Sequence, residues 1–582
     1  MNCMSSLEYR RHTLAHLLAA AVTTLYPNAL PTIGPAIDTG FYYDFDFLEN
    51  TLKEEDLEKL ERKMRELLVG WSVFTHQVTS PEVARDYFKT NPYKLELIDE
   101  IEKSGEVITL YTCGGFTDLC RGGHAEHPAE EITADSFTLE RIAGAYWRGN
   151  EKNTMLTRVY GVAFDSNKEL ERYKGQKEEA EKRDHRKLGK ELDLFTFSEL
   201  VGGGLPLFTP KGTILRDEID AYSQTLRTAR GFSKVWIPHI TKTNLYKTSG
   251  HWEKFGHELF LVKSQETQDD FVLKPMNCPH HAQIYVSRPR SYRDLPIRYL
   301  ETTAVYRDEK TGELSGLSRV RAITQDDSHI FCRFDQIEQE YASIMEMVTE
   351  FYATMGMQFR ARLSFHDSAN LGKYLGEESQ WKEAEEKLES ISKRGNFDYF
   401  IARGEAAFYG PKIDFMATDA LGREHQLATA QLDFVQPARF ELEYTDSDGI
   451  KKTPIMIHLA IAGSLERFLS IYIEHTAGVF PLWLSPVQAR ILPIAETHHV
   501  FAQRAFEELK TAGIRIELDD SNETLGKKIR AAKQEKIPYL LVMGDSEVHA
   551  QTATLEGRTN KIGTFPIAQI ILQLKEEIAA RK

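Results

Sequence analysis

Cysteine is scarce in this sequence, with five residues (Cys3, Cys113, Cys120, Cys278 and Cys332) among 582. So small and odd a number excludes a disulfide framework, and attention moves to thiolates as metal ligands or bases. No run of 18 or more apolar residues occurs, and the stretch from Met1 to Leu18 holds no apolar signal core. On this reading neither a membrane-spanning helix nor a secretory leader is expected, and a cytoplasmic protein without a membrane partner is. The G-x-x-x-x-G-K-[ST] motif is also missing, which removes support for a P-loop nucleotide hydrolase. An excess of positive charge is lacking too: 72 basic against 87 acidic residues give a net −15. Spread evenly, that charge would repel a polyanion.

The charge is not spread evenly. From residue 486 to the end there are 14 basic and 13 acidic residues, a net of +1, so the rest carries −16. Lys527, Lys528, Arg530, Lys533 and Lys536 crowd one helical stretch of this tail, a face suited to phosphates or to solvent. A chain of this length exceeds one hydrophobic core, and two to four domains are expected. The content, 41% hydrophobic and 27% charged, is that of a globular protein.

The pattern along the chain divides into four stretches. Residues 1–164 mix helices (6–22 and 53–69) with short strands ending near Tyr160. Residues 165–195 hold a charged segment, polar almost all round from Asn167 to Lys190, which predicts a helical connector. Residues 196–485 alternate helices with strands such as 271–274, 297–306 and 412–418 without regular βαβ repeats, pointing to an antiparallel sheet with helices. Residues 486–582 predict a small α/β domain with a mostly parallel core, from strands at 489–495, 514–519 and 539–544. The fold class is therefore α+β and multidomain.

Three groups of residues carry chemistry. Cys278, His329 and His458 are possible metal ligands, although taken singly each residue is more often packed than ligating. Arg307-Asp-Glu309 followed by Arg319-Val-Arg321, and Gly463-Ser-Leu-Glu-Arg467, offer arginines of the kind that clamp phosphates, though a lone arginine most simply reads as a surface ion pair. His12 and His16 share a helical face at i and i+4, and Asp118-Leu-Cys120-Arg-Gly-Gly-His124 adds a Cys/His pair at the same separation. Two such pairs in one small region permit a metal site or a hydrolytic pocket.

The segments Lys274 to His281, Tyr306 to Phe331, Ala407 to Phe415 and Ile457 to Phe468 resemble the catalytic domain of threonyl-tRNA synthetases of bacterial type, a class II aminoacyl-tRNA synthetase family. The resemblance runs from about residue 8 to the C-terminus. It implies an ATP-dependent activation of threonine and its transfer to tRNA(Thr), with Zn²⁺ held by Cys278, His329 and His458, and Mg²⁺ entering with ATP. Three protein ligands leave a tetrahedral zinc open to the amino group and hydroxyl of L-threonine. By the same match Arg307, Gln325, Asp327 and Lys412 are catalytic. Met276, Asp327, Tyr409 and Gln431 contact the amino acid, and Arg307, Glu309, Val320, Gln426, Thr429 and Arg467 contact ATP. The match also makes His12, His16, Lys94, Asp118, Cys120 and His124 an editing pocket for mischarged Ser-tRNA(Thr), with no metal expected in it. The C-terminal stretch resembles an anticodon-binding domain through Asn522 to Arg530, and residues 212–238 resemble the element through which class II synthetases form homodimers. Two departures from the family pattern are an N-terminal ubiquitin-like (TGS) domain that this sequence does not include, and Gly123 where proline is common, which is expected to loosen its loop.

Two other readings compete. A synthetase-like tRNA-binding regulator would be expected to lose Arg307, Arg467 or a ligand, and all are kept. A hydrolase of mischarged tRNA would not need residues 200–485.

Overall fold

The computed structural model describes residues 6–48, 52–395 and 398–581, and Cys3 lies outside them. The chain forms two compact units, residues 1–179 and 180–582.

In the first unit, α1 (Ser6–Leu25) is a leucine- and alanine-rich helix with no internal glycine or proline, and Leu14, Leu17, Leu18 and Ala21 are wholly buried. They pack with Phe41, Phe45, Phe137 and Val159 of an antiparallel sheet. That sheet pairs β1 (Gly40–Asp46) with Met155–Ala163, and the latter with Phe137–Tyr146. A second, three-stranded antiparallel sheet joins Thr75–Thr79, Ile108–Cys113 and β2 (Phe116–Leu119). Between its first two strands lies the helix Pro92–Ser104. Asn91 caps that helix by accepting from the N–H groups of Tyr93 and Lys94, which fixes the first turn where Lys94 sits.

The expected single connector is two helices, α2 (Asn167–Arg183) and α3 (His185–Glu191). The break falls at Asp184, whose side chain caps α3 by accepting from Arg186 N at 2.8 Å. α3 is not polar all round, because His185 and Leu188 are buried.

The second unit is built on an eight-stranded sheet, introduced here in chain order: β3 (Ser233–Lys234), β4 (Ile297–Tyr306), β5 (Ala322–Cys332), β6 (Gln358–Phe365), β7 (Tyr399–Arg403), β8 (Lys412–Thr418), β9 (Glu424–Asp433) and β10 (Ile455–Ser464). Across the sheet the order is β3-β4-β5-β10-β9-β8-β6-β7, antiparallel throughout except at the two edge pairs. One face packs on long helices through Tyr341, Val348, Phe351, Phe415, Leu459 and Phe468. Full burial of each such side chain contributes about 1.5–3 kcal/mol. Preceding the sheet is the helix Pro210–Thr228, and the last strand runs directly into α4 (Leu465–Thr476), capped by Ser464.

Beyond it, Ala489–Pro493 lies between Ile516–Leu518 and Tyr539–Met543, all parallel, and an antiparallel hairpin completes the sheet. The parallel core agrees with the sequence reading, which did not name the hairpin. The basic helix of this region, α5 (Leu525–Gln534), corrects one expectation. Lys528 is 3% exposed and donates to the carbonyls of Pro493 and Asp519, and Lys536 donates to Ala477 O. Only Lys527, Arg530 and Lys533 of the five face solvent.

Candidate active site

The register of the large sheet assembles one site. Lys412 stands opposite Gln431, Gln431 opposite His458, and His458 opposite His329, so four residues from four strands form one row on one face. A parallel row carries Asp414, Thr429 and Asp327, the last two both opposite Ala460. Helix Cys278–Val286, which begins with Cys278, is the third contributor: donor atoms of Cys278, His329 and His458 all lie within 4.8 Å of one another. The Tyr409 ring stacks on His458 at 5.0 Å, and its hydroxyl donates to Gln431. Asp327 accepts from Asn277 Nδ2 at 3.0 Å, and burial raises its pKa.

Arg307 follows β4 and Arg467 lies in the first turn of α4. Among the described residues neither pairs with a carboxylate, and Arg307 donates from its Nη2 to the Met276 sulfur at 3.6 Å. This sets both apart from Arg319, Arg321 and Arg362, each of which has an acidic partner. Burial lowers the pKa of Arg467, since no anion offsets it. Val320 is buried in the loop after Arg307. Glu309 is brought to the same loop, but its carboxylate is held by Arg319 at 2.9 Å.

Three buried residues that the sequence reading passed over organise the site. Asp414 accepts from Lys412, Arg362, Ser364, Gln426 and Thr429 at 2.7–3.1 Å, binding three of the expected residues to one carboxylate. Asp433 accepts from His458 Nε2 at 2.8 Å and from Gln436. His251 lines the cavity shared by Met276 and Arg307, and burial pushes its pKa down to about 3. Gln325 is one residue from buried Asp326, whose carboxylate accepts from the N–H groups of Ala462 and Gly463 and shapes the turn into α4.

The first unit holds a separate cluster. His12 and His16 of α1 meet Cys120 and His124: the His12 and His124 rings stack at 4.4 Å, and Cys120 Sγ lies 3.6 Å from His12 Nε2 and 3.3 Å from His124 Nε2. His12 Nδ1 donates to Gly123 O at 3.2 Å, which leaves Nε2 a lone pair facing the thiol. Gly123 has φ +89°, a conformation closed to proline, so a proline at this position would give the loop, and this carbonyl, a different path. Beneath the cluster, Asp118 takes Lys94 Nζ and Tyr43 OH, each at 2.5 Å. Burial lowers the pKa of His12, of His16 strongly, and of His124 to about 2, while it raises that of Cys120 to about 11. The imidazoles are therefore neutral and the thiol protonated. A cleft of about 490 Å³ opens beside Cys120 between Leu97, Glu100, Thr109, Arg121 and Arg148, within the range of small-molecule sites.

Residues 260–476 match the tRNA synthetase class II core domain (G, H, P, S and T), and residues 488–577 match the anticodon binding domain. A threonine–tRNA ligase of Rubrobacter xylanophilus is 45% identical over 576 residues, 98% of this chain and 89% of that protein. One from Cytophaga hutchinsonii is 46% identical over 573 residues, 98% of this chain and 88% of that protein. The chain belongs to the threonine–tRNA ligase family. In keeping with this, the crystal structure of the RNA binding domain of threonyl-tRNA synthetase from Cryptosporidium parvum Iowa II matches with TM-score 0.65 at 38% identity, over 68% of this chain and 98% of that one.

Threonine–tRNA ligases of this pattern imply zinc, and the donor chemistry fits it. His458 Nε2 donates to Asp433, so its Nδ1 presents a lone pair. His329 Nδ1 is 2.8 Å from His281 Nδ1, and in the tautomer that carries its proton on Nδ1, His329 presents an Nε2 lone pair 3.1 Å from His458 Nδ1. In that tautomer the two lone pairs face each other, and a cation between them relieves their repulsion. Tetrahedral zinc with bonds of about 2.0–2.1 Å sets neighbouring nitrogens about 3.3 Å apart, close to that spacing. Carboxylate and imidazole partners behind the ligating histidines are the usual second layer of such sites. The cluster in the first unit also has donors within 4.8 Å, but the Lys94 ammonium beside Asp118 opposes a dication there.

Two predictions follow from these contrasts. Metal analysis of the purified full chain should find one zinc per chain, lost in Cys278→Ala and kept in Cys120→Ala; two zinc ions, or loss in both variants, contradicts the assignment. The second concerns acid. His16 and His124 stay neutral in the folded unit, whereas in the unfolded chain they take up protons near pH 6.5. Stability present above pH 6.5 is therefore lost as the pH falls below it, by up to about 1.4 kcal/mol per pH unit for each histidine. The thermal midpoint of the first unit should drop between pH 7.5 and 5.5, less steeply in His16→Gln; equal slopes refute the account.

Proposed function

We propose that the chain activates threonine with ATP, transfers it to tRNA(Thr), and hydrolyses seryl groups misplaced on the same tRNA. The observation that carries the reading is the row Lys412–Gln431–His458–His329, which ends at Cys278 and lies beside Asp327. Such a face offers polar groups fixed by strand register and a set of metal donors at one end.

In adenylate formation the threonine carboxylate attacks the α-phosphorus of ATP and pyrophosphate leaves; ATP enters with Mg²⁺. Arg307 and Arg467 meet the phosphates, because they are the cations of the site that no carboxylate neutralises. Preset guanidinium groups stabilise charge developing at phosphorus without reorganising at the moment of reaction. Glu309 and Val320 frame the base, Gln426 and Thr429 the sugar, and Asp414 holds the latter pair and Lys412 in place. Zinc, when bound, supplies a Lewis-acidic position for the amino group and hydroxyl of threonine. Asp327 accepts from that hydroxyl, while Met276, Tyr409 and Gln431 close around the amino acid, and Gln325 lies next to them on β5. Valine leaves Asp327 without a donor, and a site that hydrogen-bonds a hydroxyl rejects an analogue lacking it by about 10⁴–10⁵-fold. Serine keeps the hydroxyl and lacks only a methyl, a difference worth about 10–200-fold, so a second site is needed.

The first unit supplies that site. Neutral His12, its Nε2 free to accept a proton, is placed to orient or deprotonate a water that attacks the seryl ester, with His16, Cys120 and His124 around it. Lys94 and Asp118, tied through Tyr43, keep the floor of the pocket rigid. Residues 1–164 form this editing domain, 165–195 the connector, 196–485 the catalytic domain and 486–582 the anticodon-binding domain. Lys527, Arg530 and Lys533 face the tRNA. Two chains pair through residues 212–238, where Trp236 is 77% exposed. The protein works in the cytoplasm with the rest of translation, and none of its described helices is long and apolar enough to cross a membrane.

Arg307→Ala and Arg467→Ala should each lower threonine-dependent ATP–pyrophosphate exchange at least about 100-fold and leave hydrolysis of preformed Ser-tRNA intact. The double variant His12→Ala, His16→Ala should do the reverse, and Ser-tRNA should accumulate. A double variant that still clears Ser-tRNA at the parental rate removes the second site from the scheme.

A further inference from the structure

The connector helix α3 reaches the loop that follows Arg307. His185, 5% exposed, places its Nδ1 2.7 Å from Glu474 Oε1, and its Nε2 accepts from the main-chain N–H of Leu317 at 3.1 Å. The backbone N–H donor requires a lone pair on Nε2, so the ring is the Nδ1–H tautomer and both nitrogens are engaged. With no lone pair left for a cation, Asp184, His185 and Glu474 are a hydrogen-bonded brace and not a metal site, although their donor atoms lie close together.

The brace ties three parts of the catalytic unit. Glu474 belongs to α4, the helix that presents Arg467, and its other oxygen is held by Arg423 at 2.6 Å, which in turn pairs with Asp419. Leu317 is wholly buried in the core that also takes in Leu188, Leu192 and Leu194 of the connector. Next to it, Gly316 comes so near the imidazole that a Cβ there would lie 2.2 Å from His185 Nε2. The far end of the loop is fixed by the chain that follows the connector, since Arg321 N donates to Gly204 O at 2.8 Å and Arg321 O accepts from Arg307 N at 3.0 Å.

We propose that His185 is a positioning residue for adenylate formation: through Leu317 and Glu474 it locks the loop bearing Arg307 and Glu309 to the helix bearing Arg467, so that the ATP-binding groups are set before ATP arrives. The proposal rests on the reading of Arg307 and Arg467 as ATP ligands. The expected effect falls on ATP, because none of the groups in the brace lies in the Cys278–His329–His458 row.

The test uses the full chain and paired amide substitutions. His185→Gln keeps an acceptor within reach of Leu317 N–H, whereas His185→Asn keeps only the donor toward Glu474. ATP–pyrophosphate exchange should show KM for ATP raised about tenfold or more in His185→Asn, the effect of leaving a buried N–H without an acceptor. KM for threonine and Ser-tRNA hydrolysis, measured well below each variant's own melting temperature, should stay near parental values, and His185→Gln should recover most of the loss. Gly316→Ala, which displaces the loop with His185 intact, should reproduce the ATP-specific defect. Equal loss in the Asn and Gln variants, or a rise in the threonine KM matching that for ATP, overturns the proposal. Arg307→Ala, run alongside, separates the two levels: if it impairs exchange and His185→Asn does not, the brace alone is refuted, and if it has no effect the ATP reading falls with it.

Discussion

Main-chain hydrogen bonds between β5, β10, β9 and β8 fix a register in which His329, His458, Gln431 and Lys412 stand opposite one another. A slip of one residue in any of these strands would turn its side chain to the other face of the sheet, into the core with Phe415 and Leu459. The large apolar face therefore does more than stabilise the unit: by making the wrong register costly, it holds chemical groups from residues 329 to 458 in one row. Buried carboxylates then take the fixed positions and convert them into fixed side chains. Asp414 gathers Lys412, Gln426 and Thr429, Asp433 sets the tautomer of His458, and Asp326 shapes the turn from which Arg467 emerges. Each costs desolvation that only a complete set of donors offsets, so these carboxylates tolerate little change around them.

The first unit solves a related problem differently. Its polar cluster rests on one helix and one loop, with Asp118 held between Lys94 and Tyr43 below, and its histidines are neutral because they are buried. Beside the row in the second unit, Arg307 and Arg467 are, among the described residues, cations that no carboxylate neutralises, suited to phosphates, whereas the cluster in the first unit holds neutral imidazoles beside a protonated thiol, suited to water attack on an ester. Separate burial of the two sets keeps the chemistries from interfering within one chain.

Much of this was legible in the sequence, for reasons that differ by element. Strands 297–306 and 412–418 are read to the residue because local sequence marks them: β-branched and aromatic residues crowd the first, and Ile413, Phe415 and Ala417 alternate in the second. The three candidate ligands and the arginines came through the resemblance, since 51 positions separate Cys278 from His329 and 129 separate His329 from His458, which hides the site from any spacing argument. Asp414, Asp433 and His251 were missed because a buried polar residue looks like a surface one until the strands pair. Lys528 and Lys536 read as part of a face suited to phosphates or to solvent, because charge alone does not tell that a lysine will turn inward to carbonyls. The connector read as polar all round, yet His185 and Leu188 face the core, a contact that only the tertiary fold provides. At Gly123, a comparison of residue types suggested looseness, where the backbone angle shows a requirement.

The central claim is that this face reads the hydroxyl of its amino acid and couples it to ATP. Pyrophosphate exchange with threonine, serine and valine, measured with Asp327→Ala beside the parental chain, tests it most directly. The account predicts strong exchange with threonine, weaker but clear exchange with serine and none above background with valine, and a loss of preference for threonine over valine in Asp327→Ala. Exchange with valine comparable to that with threonine in the parental chain would contradict it.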